Sequence, residues 1–250
     1  MLISDTGALE FGLELDAPAR AVAGKRILIT GVTSHAGIDI ARSFTEAGAR
    51  VILQCDEVSP ETQAIAEMLA PDAASLSVHV TPLKGSEEIV LFARAVVAEF
   101  GGLDMVINVV ALDGGLPETG LGYEAIEACV SDLLLKACLV SRVAANRMRL
   151  MLTDGVILTV ATLHADPTAE TRAFAQVVRS TLAGMTRTEA EAWAPAGIRF
   201  NAVTPDVLGV VAPAASGHET DIAQLAMFLA AGRGRTLSGT TFELGLLARG

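Results

Sequence analysis

A chain of 250 residues, half of them hydrophobic, has the apolar surface for one α/β domain with helices on both faces of a sheet. Its net charge of −11 argues against nucleic acid and against an anionic membrane surface as partners, and no apolar run approaches the ~20 residues of a membrane-spanning helix. Cys55, Cys129 and Cys138 are odd in number and lack metal-ligand spacing, which points to reduced, buried thiols in a cytoplasmic protein with no metal site.

Residues 1–24 read as an N-terminal extension, and residues 25–250 as a single domain. Within the extension, 9–15 alternates apolar and polar residues. This fits a short strand or hairpin, or an extended arm packed on the domain or on a neighbouring subunit. Asp5, Glu10 and Glu14, with no basic segment before an apolar one, exclude a signal peptide.

From Lys25 onward strand and helix patterns alternate with short connections. The first strand is expected at 27–30, and the first helix at 36–47, stopped by Gly48. A second strand follows at 49–54. Ser59 and Pro60 then open a helix as N-cap and first helical residue. Leu76, Val78 and Val80 mark a third strand. Ile89, Phe92, Ala93, Val96, Val97 and Phe100 fall on one helical face.

A fourth strand is expected at 103–110 and a long helix over 123–150, with a fifth strand at 155–160. Asp166-Pro167 reads as the cap of a helix with the core stripe Phe174, Val177, Val178, Leu182 and Met185. A sixth strand at 198–203, a helix at 221–230 and a seventh strand at 240–244 complete the chain. Strands alternating with helices predict a doubly wound, mostly parallel, seven-stranded sheet with helices on both faces and right-handed crossovers, a Rossmann-type α/β fold.

Thr30-Gly31-Val32-Thr33-Ser34-His35-Ala36-Gly37 sits between the first strand and the first helix. A strand, a glycine turn and a helix start are the parts of a dinucleotide site: the turn lets backbone N–H groups approach a pyrophosphate, and the helix N-terminus adds partial positive charge. Two further stretches stand at matching places. These are Leu103-Asp104-Met105-Val106-Ile107-Asn108 and Gly197-Ile198-Arg199-Phe200-Asn201-Ala202-Val203-Thr204-Pro205. With the glycine turn, they resemble the short-chain dehydrogenase/reductase family over about residues 23–247.

The resemblance implies hydride transfer between a nicotinamide and a carbinol or carbonyl carbon. It implies cofactor contacts at Thr30, Gly31, Ser34, His35, Gly37, Asp56 and Asn108. His35 stands at the place of the family's middle glycine, and Val109-Val110-Ala111 at the place of Asn-Ala-Gly. His79 aligns with a family aspartate that contacts adenine. Asp56, an acid without a basic neighbour in sequence, implies NAD(H) rather than NADP(H), bound weakly if at all.

The family's proton-relay residues are substituted. Its tyrosine falls on Ala175, its lysine on Arg179, its serine on Thr162, and its asparagine on or near Leu133. Tyr123 is the only tyrosine, and Lys25, Lys84 and Lys136 are the only lysines, so Tyr-x-x-x-Lys occurs nowhere. Asp206 replaces a glycine, and 206–220 is short for a substrate lid.

Two functions follow from this pattern. One is a non-catalytic or weakly active binding or scaffold module, forming a homodimer or homotetramer through its two longest helices or pairing with an active paralogue. The other is an NAD(H)-dependent oxidoreductase in which Thr162 holds the substrate oxygen, His164 or water supplies the proton, and Arg179 anchors the ribose. His164 is open to a plainer role, capping the loop before Asp166-Pro167. Asn108 reads as strand-end structure or as a cofactor contact.

Overall fold

Runs of β-branched and aliphatic residues become the five central strands, buried on both faces as parallel sheets require, while the two edge strands are only partly buried. The computed structural model describes residues 17–32, 35–112, 123–163, 168–205 and 218–244. Seven strands appear: β1 (Arg26–Thr30), β2 (Arg50–Cys55), β3 (Ser75–Val80), β4 (Met105–Ala111), β5 (Val156–Thr162), β6 (Arg199–Pro205) and β7 (Thr240–Leu244). Their order in the sheet is β3-β2-β1-β4-β5-β6-β7, and every pairing is parallel. The expected doubly wound α/β architecture is the one observed.

The helices are α1 (Ala17–Val22), α2 (His35–Glu46), α3 (Pro60–Leu69), α4 (Ser86–Phe100), α5 (Tyr123–Leu150), α6 (Ala169–Trp193) and α7 (His218–Ala230). Alternation along β1 divides the core. Ile27 and Ile29 join a cluster with Ile40 and Phe44 of α2 and Ala226 and Leu229 of α7. Leu28, between them in sequence, joins Phe92 and Val96 of α4 and Val140 and Ala144 of α5 on the other face. A third cluster gathers Val110, Ala161 and Ala202 from the sheet with Phe174, Ala175 and Val178 of α6.

Ser59 caps α3 as expected, its hydroxyl accepting from the Thr62 N–H at 3.1 Å. Most boundaries shift by one or two residues from the sequence reading, and three differences change what a segment does. Residues 17–22 form α1, and Val22 is fully buried in the core, so the folded body begins before residue 25. The cap of α6 is Thr168, whose hydroxyl accepts from the Thr171 N–H at 3.2 Å, so Asp166 lies upstream of the helix start. With that start, the buried stripe is Phe174, Ala175, Val178 and Leu182, while Val177 turns outward and is 42% exposed. Third, α7 begins at His218 and not at 221. The alternating stretch 9–15 lies outside the described residues.

At the N-terminal edge of the sheet, Asp104 holds β1 to β4. Its carboxylate accepts from the backbone N–H of Arg26 at 2.8 Å and from that residue's Nε and Nη2, both at 2.9 Å. At the opposite edge the strands of a doubly wound sheet present their C-terminal ends. The chain runs outward from β1 to β2 and β3 on one side and from β4 to β7 on the other. The gap between β1 and β4 is therefore the topological switch point, where such sheets form their ligand crevice.

Candidate active site at the β1–β4 switch point

Gly31 is the first residue past β1. Its φ is +73°, and a Cβ built there would lie 2.2 Å from the Val109 carbonyl oxygen. Only glycine passes β4 this closely. The Gly31 N–H donates to the Gln54 backbone oxygen at 3.2 Å and to the Gln54 side-chain Oε1 at 3.3 Å. Thr33 and Ser34 lie outside the described residues. His35 is the first residue of α2, and Gly37 sits in its first turn, where the helix N-terminus directs backbone N–H groups toward the crevice.

Gln54 is fully buried, and its Nε2 donates to Asp56 Oδ1 at 2.8 Å and to the Thr81 carbonyl at 2.9 Å. A buried side-chain amide thus links the glycine turn to the acid that follows β2. Asp56 has a second partner that sequence spacing did not reveal. Lys136 Nζ, on α5, lies 2.8 Å from Oδ1 and 2.9 Å from Oδ2. Burial would raise the Asp56 pKa, but the bonds from Lys136 and Gln54, and one from the Leu83 backbone, hold it below the usual carboxylate range. The acid that has no basic neighbour in sequence has one in the fold: Lys136 is 80 residues away along the chain and on the carboxylate in space.

Asn108 is buried at the middle of β4. The Thr30 hydroxyl donates to its Oδ1 at 3.1 Å, and its Nδ2 donates to Ser141 Oγ of α5 at 2.9 Å. Its amide is thus occupied in tying β1, β4 and α5 together, which is the structural reading of this residue. Asn108→Ala would strand two buried hydroxyls and is expected to cost about 2 kcal/mol, read as a shift in the urea midpoint with unchanged slope.

His79 is engaged by α4. It lies within β3 and its Nε2 is 2.8 Å from Glu99 Oε2 of α4, with its ring edge-on to Phe92 at 5.9 Å.

At the other half of the crevice, Thr162 ends β5, half-buried, and its carbonyl accepts from the Leu112 N–H at 2.9 Å. His164 and Asp206 lie outside the described residues. Ala175 is 1% exposed within the third apolar cluster, with Leu133 packed against the same group. Arg179, one turn further on, pairs with Glu243 of β7. Glu243 stands beside Thr204 in register, so the guanidinium is drawn toward the β7 edge.

Elsewhere, an open groove of about 1160 Å³ is lined by Arg142, Asn146, Leu152, Glu189, Trp193 and Gly197. It belongs to the opposite edge of the sheet and is not the crevice. Among the described residues no cluster of His, Cys, Asp or Glu could hold a metal ion, and no helix is long and apolar enough to cross a membrane.

Sheet order and the glycine turn after β1 define a Rossmann-type α/β protein with a crevice at the β1–β4 switch point. Comparison with known proteins narrows the class. A short-chain family model described as enoyl-(acyl carrier protein) reductase matches residues 31–219. An uncharacterized oxidoreductase of Thermotoga maritima is 30% identical over 186 residues, covering 73% of this chain and 71% of that protein. Momilactone A synthase of Oryza sativa is 29% identical over 257 residues, covering 92% of each. A crystal structure of a short chain dehydrogenase from Mycobacterium smegmatis agrees in fold, with a TM-score of 0.77 over 91% of this chain and 94% of that one, at 20% identity. The chain belongs to the short-chain dehydrogenase/reductase family of oxidoreductases.

Proposed function

We propose that this chain is a dinucleotide-binding member of the family that retains the adenosine half of the site and has little or no hydride-transfer activity, so that it works as a binding or scaffold module. The residues divide along that line. Toward the adenosine end, Asp56 and Lys136 offer an acceptor pair and a cation beside a ribose, and the start of α2 offers backbone N–H groups to a pyrophosphate. A bound nicotinamide dinucleotide would supply or take up a hydride, and family chemistry couples that transfer to a proton.

The reading rests on Ala175, a buried methyl at the position that the sequence resemblance aligns with the family's tyrosine. It has no proton to give. Arg179, aligned with the family's lysine, is engaged by Glu243, and a guanidinium makes a poor proton relay. Thr162 can hold a substrate oxygen by a hydrogen bond, but a threonine hydroxyl is a poor acid. Loss of general acid/base catalysis typically slows a reaction ~10²–10⁴-fold.

Steady-state oxidation of NADH and NADPH against a panel of ketones, aldehydes and enones tests this. Turnover on the order of 10²–10⁴-fold below a family enzyme with the full relay, alongside measurable cofactor binding, is the expected result. Turnover within tenfold of such an enzyme, lost on Thr162→Val, would overturn the non-catalytic reading in favour of an oxidoreductase of unusual mechanism.

A further inference from the structure

The contact between Lys136 and Asp56 carries a consequence for which dinucleotide the site accepts. In the sheet, β2 and β4 flank β1, which puts them two strand spacings, roughly 10 Å, apart. Lys136 belongs to the helix that follows β4, yet its ammonium rests on the carboxylate that follows β2. The contact therefore joins the element after β4 to the end of β2 across the position of β1.

The two partners are unequal in freedom. Gln54 fixes Asp56 from below, and Gln54 is itself locked by the Gly31 N–H and the Thr81 carbonyl. Lys136 has no other hydrogen-bond partner among those described for its ammonium, and a flexible four-carbon stem carries it. The side chain of Lys136 is 24% exposed and that of Asp56 53%, so a ligand reaches the carboxylate directly and the ammonium by a swing of that stem. Together they are electrically neutral, whereas Asp56 alone would repel a 2′-phosphate. A ribose 2′-hydroxyl can donate to Asp56 with Lys136 in place. A 2′-phosphate can take the ammonium instead, since a compact, multiply donating cation binds a phosphate as readily as a carboxylate.

We propose that Lys136 is the residue that sets cofactor preference here: it hands its charge from Asp56 to the 2′-phosphate of NADP(H), so the site accepts both NAD(H) and NADP(H). This rests on the reading of the crevice as a dinucleotide site. It is a specificity role, and no step of hydride transfer depends on it.

Isothermal titration of the full-length protein with NAD⁺, NADP⁺, 5′-AMP and adenosine 2′,5′-bisphosphate is the test. The wild type is expected to bind NAD⁺ and NADP⁺ with affinities within about tenfold of each other. Lys136→Met should weaken NADP⁺ and the bisphosphate by about tenfold or more and NAD⁺ and AMP by less than about threefold. Lys136→Arg should keep most of the NADP⁺ affinity, and Asp56→Asn should strengthen it by releasing the ammonium. A ratio of NADP⁺ to NAD⁺ affinity unchanged in both Lys136→Met and Asp56→Asn would overturn the specificity role alone. Binding of none of the four probes to a wild type that melts cooperatively would overturn the dinucleotide reading and this inference with it.

Discussion

Gly31→Ala is expected to destabilise the protein by about 3–5 kcal/mol. Two costs combine. Alanine at a φ of +73° carries a left-handed penalty of ~1–2 kcal/mol. The new Cβ would also fall 2.2 Å from the Val109 carbonyl oxygen, a backbone atom that can move only if β1 and β4 part. Gly24→Ala provides the control. Gly24 has nearly the same φ, +74°, but nothing lies within 4 Å of its added Cβ. It should show the backbone penalty alone, about 1–2 kcal/mol. The difference between the two variants in chemical denaturation isolates the close approach of the turn to β4. Dinucleotide binding should fail in the Gly31 variant and persist in the Gly24 variant.

Asp104→Ala should cost about 3 kcal/mol at neutral pH, because it removes three hydrogen bonds to Arg26 and leaves that guanidinium largely buried without its partner. The same contact makes stability pH-dependent. Burial would raise the Asp104 pKa, but the side chain, the backbone N–H and the charge of Arg26 outweigh it and hold the carboxyl below its ordinary value. A carboxyl with a folded pKa below its unfolded ~3.9 contributes stability above that pH and loses it as pH falls through the folded value. The urea midpoint of the wild type should therefore fall steeply below about pH 4, and the Asp104→Ala midpoint less so. Parallel pH profiles for the two proteins would exclude this ion pair as a source of acid sensitivity.

The fold was legible in the sequence because its signals are local. Ile27-Leu28-Ile29 and Val51-Ile52-Leu53 have no polar face, as strands covered on both sides require. Ser59-Pro60 and Gly48 punctuate the helices where the structure starts and ends them. The errors were local too. Thr168 and Asp166 are both good caps two residues apart, and the small Ala175 takes the core-facing place that the larger Val177 suggested for itself. Much of the site was not legible, because its contacts join residues far apart in sequence. Lys136 meets Asp56 across 80 residues, and Arg179 meets Glu243 across 64. Two signals were present in hindsight. Lys136 is a lone charge inside the apolar run 133–140, and Gln54 is a lone amide closing an apolar strand. Such isolated polar residues in buried segments need partners.

Glu189 couples the far ends of the two longest helices. One of its oxygens accepts from Arg142 Nη2 of α5 at 2.6 Å, and the other accepts from the Trp193 indole N–H at 2.9 Å. Trp193 is the only tryptophan in the chain. It closes α6, a helix of 25 residues and so roughly 37 Å long, whose other end lies near the crevice. The intrinsic emission of this protein is consequently a local optical gauge of the α5–α6 groove. Quenching by a nucleotide would report on the wrong end of the molecule. A shift in emission maximum would register water entering or leaving that groove, which gives a face remote from the switch-point crevice its own built-in reporter.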